Sequence, residues 1–156
     1  MRISSHVELC TAHRLMDYPG KCKHLHGHNY KVAVDIELNF DSDSSREFGI
    51  LLDFDTVKGV LKAVTDPFDH ATVLRNDDPL RYALLEHGQQ LILLSVNPTA
   101  ENLAEIIATR VAEYLDLSPM RVVATVHETS KCYVAASGVS GLFSSVSVEY
   151  YNVRRS

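Results

Sequence analysis

No stretch of this chain approaches the roughly 20 consecutive apolar residues that cross a bilayer as a helix. The first residues, Met1-Arg-Ile-Ser-Ser-His6, lack the apolar run of a signal peptide. Together these lead us to expect a soluble, cytoplasmic protein with no membrane partner. Cysteine is scarce. Cys10, Cys22 and Cys132 form an odd set with no paired spacing, which excludes a disulfide framework and makes reduced thiols the simpler account. Basic runs are also missing: 15 lysines and arginines stand against 20 acidic residues, for a formal charge of −5. The one basic pair is Arg154-Arg155, which reads as a solvated tail. A nucleic-acid partner is therefore not expected. There is no internal repeat, low-complexity segment or linker to divide the chain.

What remains is an ordinary globular composition. Hydrophobic residues make up 46% and charged residues 22% of 156 positions, enough to bury a core within one domain, residues 1–156. Residues 3–13 alternate loosely and read as a strand; residues 15–25, with Asp17-Tyr-Pro-Gly20, read as a loop. Residues 29–40 are the clearest strand, with Tyr30, Val32, Val34, Ile36, Leu38 and Phe40 on one face and Lys31, Asp35, Glu37 and Asn39 opposite. A polar connection at residues 41–45 follows, and the first two strands are expected to pair as an antiparallel hairpin with long loops. Val57, Val60, Leu61 and Val64 recur at helical spacing before a stop at Asp66-Pro67. A second helix spans about residues 99–115, opened by Pro98-Thr-Ala-Glu-Asn102, where a polar cap and a first-turn carboxylate suit the helix dipole. Residues 91–94 read as a short strand and residues 121–128 as a longer one. Either 131–136 or 144–151 is its return, giving an α+β order.

Histidine is the residue placed with most order. In Cys22-Lys-His-Leu-His-Gly-His-Asn-Tyr30, three histidines (His24, His26, His28) alternate, so an extended backbone projects them to one face. Two of them, with His13 from the adjacent strand, can hold a zinc ion and leave its fourth position open, as catalytic zinc sites do. Periodicity alone leaves open whether His24 or His26 joins His28. Imidazole donors disfavour calcium. Cys22 sits between Lys21 and Lys23, a setting that favours a reactive thiolate over a packed thiol. Cys10 and Cys132, in apolar patterns, read as packed. Asp69-His70 pairs a carboxylate with an imidazole it can orient as a base. Glu128, near the end of an apolar strand, reads equally as a solvated strand end or as an anchor for a ligand with two adjacent N–H donors, such as a pterin or guanine ring. His6, His87 and His127 show no partner pattern.

In combination, Thr11-Ala-His13, Cys22-x-x-x-His26-Gly-His28-Asn-Tyr30, Leu52-Asp-Phe54, Phe68-Asp-His70, Pro98-Thr-Ala-Glu-Asn-Leu103 and Val126-His-Glu-Thr129 resemble the 6-pyruvoyl-tetrahydropterin synthase and 6-carboxytetrahydropterin synthase family. The resemblance implies a tunnelling fold, an antiparallel four-stranded sheet with two helices on one face. It implies association into an oligomeric barrel, commonly a homohexamer built as a dimer of trimers, with active sites at subunit interfaces. It puts His13, His26 and His28 on zinc-ligand positions and His24 on a variable one. Cys22, Asp69, His70 and Glu128 fall on catalytic positions, and Glu128 with Thr99 on substrate-binding ones. The implied activity is that of a lyase acting on 7,8-dihydroneopterin triphosphate, with loss of triphosphate. The three-residue gap between Cys22 and His26 is similar to the branch that forms 6-carboxytetrahydropterin and acetaldehyde for queuosine and other 7-deazaguanines. The alternatives are the pyruvoyl-forming reaction and a non-catalytic zinc- and pterin-binding protein. Three features depart from the pattern: Cys10 where an aromatic residue is common, a long segment 76–97, and the tail beyond Lys131 with Ser137-Gly-Val-Ser-Gly141.

Overall fold

The computed structural model describes residues 1–38, 50–116, 120–138 and 146–152. Asn39 and Phe40, the connection at 41–45, Pro119, the last part of Ser137-Gly-Val-Ser-Gly141, residues 144–145 and the Arg154-Arg155 pair lie outside the described residues. Ten elements follow in chain order: β1 (Arg2–His13), β2 (His26–Leu38), α1 (Phe54–Thr65), β3 (Ala71–Arg75), α2 (Leu80–Glu86), β4 (Leu91–Leu94), α3 (Ala100–Leu115), β5 (Met120–His127), β6 (Tyr133–Gly138) and β7 (Val148–Tyr151).

The strand alternation in β2 sends Tyr30, Val32, Val34, Ile36 and Leu38 into the core as a single face. β1 runs antiparallel beside it from Arg2↔Glu37 to His13↔His26, so the expected pairing of the first two strands holds over their whole length. β5 adds antiparallel to β2, and β6 to β5, making an antiparallel run of four. The capped helices cover its buried face. In α1 the Asp53 side chain accepts from the Asp55 N–H, and in α3 the Thr99 side chain accepts from the Asn102 N–H, each satisfying an orphan donor of the first turn. Helix α3 packs on β5 and β6, and α1 on β1 and α3. Gly138 lets β6 lie against α3: a Cβ there would stand 2.5 Å from the Ala108 carbonyl carbon and 2.5 Å from the Thr109 nitrogen.

The expected four-stranded sheet with two helices is too small. Among the described residues the sheet has seven strands, ordered β6-β5-β2-β1-β3-β4-β7, and there are three helices. β3 joins β1 in parallel, β4 joins β3 in parallel, and β7 closes antiparallel on β4. The long segment 76–97 is therefore structural, supplying α2 and β4. Ala71–Arg75 escaped the sequence reading because its apolar residues show no alternation: Val73 and Leu74 are both buried. The reason is that both faces are covered here. Leu74, Leu91 and Leu93 form a second small core with Leu80, Leu84 and Leu85 of α2, whereas Val73, Ile92 and Leu94 face the main core. The two candidate returns also separate. The first pairs with β5, and the second is not its return but the edge strand on β4.

The candidate metal centre

Strand register decides which histidines meet. His13 stands opposite His26, and Thr11 opposite His28, so His13, His26 and His28 share the core-side face at one end of the β1–β2 ladder. Ring centroids are 4.6 Å apart for His13 and His26, 5.2 Å for His13 and His28, and 5.0 Å for His26 and His28. One ring nitrogen from each lies within 4.8 Å of the other two. His24 is excluded by local backbone: it ends the short 3-10 turn Lys21–Lys23, before β2 begins, and its side chain is exposed.

The surroundings fix how these rings are used. His13 is 1% exposed, and its Nδ1 is 2.7 Å from the Pro98 carbonyl oxygen. The His26 Nδ1 is 2.7 Å from the His24 carbonyl oxygen. A carbonyl can only accept, so each Nδ1 carries the proton and each Nε2 keeps its lone pair for a ligand bond. Burial, helped by the neighbouring His26, pulls the His13 and His28 imidazoles below their ordinary range despite the Pro98 carbonyl on His13 and the Glu128 carboxylate near both. That favours the neutral form a metal requires. The His28 Nε2 is buried with no hydrogen-bond partner. An orphaned buried nitrogen facing two other imidazoles is what a metal ligand looks like without its ion, and three imidazoles fit zinc.

A cavity of about 390 Å³ opens beside His13, lined among others by Tyr18, Cys22, Thr99, Glu128, Cys132 and Tyr133. Cys22 reaches it because the loop after β1 folds back: the Leu15 N–H donates to the Cys22 carbonyl at 2.8 Å. The Asn97 side chain clamps both backbone groups of Met16 at 2.9 Å. Thr99 lines the same cavity while capping α3, its Oγ1 occupied by the Asn102 N–H at 3.3 Å. Glu128 extends from the end of β5 with Oε1 3.4 Å from the His13 Nε2 and 3.6 Å from the His28 Nε2.

Asp69 and His70 are brought together but not to Cys22. The Asp69 Oδ2 is 3.0 Å from the His70 Nδ1, and the Asp69 Oδ1 accepts from the Cys10 N–H at 2.8 Å. His70 takes a left-handed φ of 58° and points outward. It lines a different cleft, about 320 Å³, with Cys10, Gly27, His28 and Asn29. Cys10 and Cys132 are exposed, not packed as expected. Cys10 falls on the outer face between buried Leu9 and Thr11, and Cys132 precedes β6 in the loop after Glu128.

Three contributors were missed in the sequence. The Pro98 and His24 carbonyls act through the backbone, which no side-chain pattern reports. Tyr30 reads as one more core residue in an alternating strand, yet its hydroxyl is 3.2 Å from the His13 Nε2 and 3.3 Å from the Glu128 Oε1. Burial, then the Glu128 carboxylate, pushes its phenol well above the ordinary range, so it remains a donor.

Comparisons with known proteins identify the family. A family model described as 6-pyruvoyl tetrahydropterin synthase matches residues 2–138. A 6-carboxy-5,6,7,8-tetrahydropterin synthase from Rickettsia conorii is 29% identical over 139 residues, covering 86% of this chain and 98% of the relative. A probable enzyme of that name from Halobacterium salinarum is 31% identical over 125 residues, covering 79% of this chain and 77% of the relative. In fold, the chain is similar to the 6-pyruvoyl tetrahydropterin synthase of Plasmodium falciparum, with a TM-score of 0.67 at 20% identity over 89% of this chain and 98% of that one. With the match spanning all but the tail, the chain belongs to the 6-pyruvoyl tetrahydropterin synthase family.

Proposed function

We propose that residues 1–156, as one domain, form a zinc-dependent lyase that converts 7,8-dihydroneopterin triphosphate and water to 6-carboxy-5,6,7,8-tetrahydropterin, triphosphate and acetaldehyde. The observation that carries this reading is three clustered imidazoles, two with their Nε2 atoms freed by backbone carbonyls and the third with an unpartnered Nε2, beside a cavity that also holds Cys22 and Glu128. The names carried by the Rickettsia and Halobacterium relatives support the carboxy product, as does the three-residue gap between Cys22 and His26.

His13, His26 and His28 would hold the zinc, which supplies Lewis acidity where negative charge develops on side-chain oxygens. Glu128 accepts from the adjacent N–H donors of the pterin edge, and Thr99 lines the wall beside it; together they keep the reacting carbons in reach, a positioning effect. The Cys22 thiolate takes a proton from the substrate side chain. Asp69 holds His70 through Nδ1, leaving His70 Nε2 to move a second proton. Because His70 opens into another cleft than Cys22, His70 serves the cavity of a neighbouring copy. Active sites then lie at subunit interfaces, in the homohexamer of two trimers that the family resemblance implies. Among the described residues no helix is long and apolar enough to cross a membrane; we place the enzyme in the cytoplasm, in the supply of 7-deazaguanines.

The test is incubation of zinc-loaded protein with 7,8-dihydroneopterin triphosphate, with the pterin identified by mass. A carboxy product is expected. A pyruvoyl product would move the chain to the other branch, and unchanged substrate would make it a zinc- and pterin-binding protein without catalysis. Cys22→Ala and His70→Asn should each lower turnover by roughly 10²–10⁴-fold, the range for a lost acid–base group. Mixing these two inactive variants should restore part of the activity if the groups meet across an interface; its absence in mixed oligomers would refute the shared site.

A further inference from the structure

The Glu128 oxygen stands at a ligand's spacing from two of the three imidazoles, and nothing in the pterin-anchoring role explains that position. Two atoms in a tetrahedral zinc shell, each about 2.0–2.1 Å from the ion, are about 3.4 Å apart. The Glu128 Oε1 is 3.4 Å from the His13 Nε2 and 3.6 Å from the His28 Nε2. These contacts are not hydrogen bonds. The His13 proton is on Nδ1, engaged by the Pro98 carbonyl, and the His28 Nε2 has no hydrogen-bond partner. The His13 lone pair therefore faces the carboxylate with no ring proton between them, and the His28 Nε2 stands unpaired beside the same oxygen, an arrangement that a cation at their centre satisfies.

Charge points the same way. Three neutral imidazoles leave the full double charge of the ion in a half-buried site, and a carboxylate halves it where solvent screening is weak. Tyr30 supplies the remaining restraint. Its single O–H faces both the His13 Nε2 and the Glu128 Oε1. Once the imidazole nitrogen is committed to an ion, the carboxylate is the acceptor left to it.

We propose that in the resting, metal-loaded protein Glu128 occupies the fourth position of the ion, held there by the Tyr30 hydroxyl, and that an arriving pterin ring draws it off and so opens the site. The second half rests on the reading of Glu128 as the pterin anchor. One carboxylate then has two exclusive partners, and the metal is exposed to oxygen ligands only when a ring with adjacent N–H donors is present. Tyr30 is a positioning residue in this scheme, acting through Glu128.

Crystals of the zinc-loaded protein grown without pterin test the first half. The Glu128 Oε1 should lie about 2.0–2.2 Å from the ion; a water in that position with Glu128 turned away overturns the proposal. Chelator competition should show zinc held about 10–100-fold less tightly by Glu128→Gln, with Tyr30→Phe shifted less in the same direction. An unchanged Kd in E128Q also overturns it. For the second half, cobalt-substituted wild-type protein should change its visible absorption on adding 6-methylpterin, a ring without side-chain hydroxyls. E128Q should not. A wild-type spectrum unmoved at saturating 6-methylpterin overturns the exchange. None of these readouts needs turnover, so tight zinc binding through Glu128 in a protein inert toward dihydroneopterin triphosphate would support this proposal while removing the enzymatic one.

Discussion

The two halves of the sheet are built on different rules, and the difference explains where function sits. Among the described residues the antiparallel half, β6-β5-β2-β1, is covered by α1 and α3 on one face only, so its strands alternate buried and exposed residues. Its ladder ends on the covered side in His13, His26 and His28, and Glu128 follows directly from β5. The half made by β3, β4 and β7 is covered over β3 and β4 on both faces, by α2 as well as by the main core. It contributes no imidazole to the cluster. It acts as a brace, and its clearest tie to the site is Asp78, which is 0% exposed and takes the Arg14 guanidinium on both oxygens, one residue from His13. A half-covered sheet can spare polar groups for chemistry at its margin. A doubly covered one has no room for them.

The largest single-residue effect is expected in the antiparallel half. His26→Ala should remove bound zinc and reduce turnover by about 10³-fold or more, with a melting curve of the apo protein close to that of the wild type. Zinc per chain and product formation measure both. If His26→Ala retains one zinc, the three-histidine assignment fails.

Next comes the brace. Asp78→Ala leaves a guanidinium facing an emptied buried site and should destabilise by roughly 3 kcal/mol in urea unfolding. Zinc stoichiometry should persist in the folded fraction, which would separate the two halves. The pH dependence has a definite sign. Burial pushes the Asp78 carboxyl up, but the Arg14 guanidinium and the Leu80 N–H outweigh it and hold the group below its ordinary 3.8. A carboxyl depressed in the folded state stabilises fully above its unfolded value and loses that contribution as pH falls through the folded one. Wild type should therefore lose stability below about pH 4 more steeply than Asp78→Ala.

Leu91→Ala probes the second small core and should destabilise by about 2–4 kcal/mol, as large-to-small changes in a packed core do. Gly138→Ala is the mildest, about 1–3 kcal/mol for an overpacked contact, because the added methyl meets the α3 backbone. Should it prove neutral, β6 does not depend on that close approach.

Much of the antiparallel half was legible in the residues. β2 announced its buried face through Tyr30 to Leu38, α3 its start through Thr99, and α1 its stop through Asp66-Pro67. The brace was not, because a strand buried on both sides loses the period that betrays it. Ala71–Arg75 carries two adjacent buried residues, and α2 has only Leu80, Leu84 and Leu85 against it. The exposed state of Cys10 was readable in the alternation of β1, where Leu9 and Thr11 flank it, but it was overridden by the apolar look of the segment.

At the site, sequence alone determined the candidate residues: alternate histidines, one more on a preceding strand, a cysteine in a turn between lysines, and a glutamate at a strand end. Those choices are local, set by spacing and side-chain chemistry. Tertiary structure decided the rest. The register His13↔His26 chose the two partners of His13, and the 3-10 turn removed His24. Backbone carbonyls from Pro98 and His24 placed the ring protons, and Tyr30 met Glu128 across 98 residues of chain. Such contacts depend on which strands lie side by side, and no short-range pattern in a chain encodes a distance between its far parts.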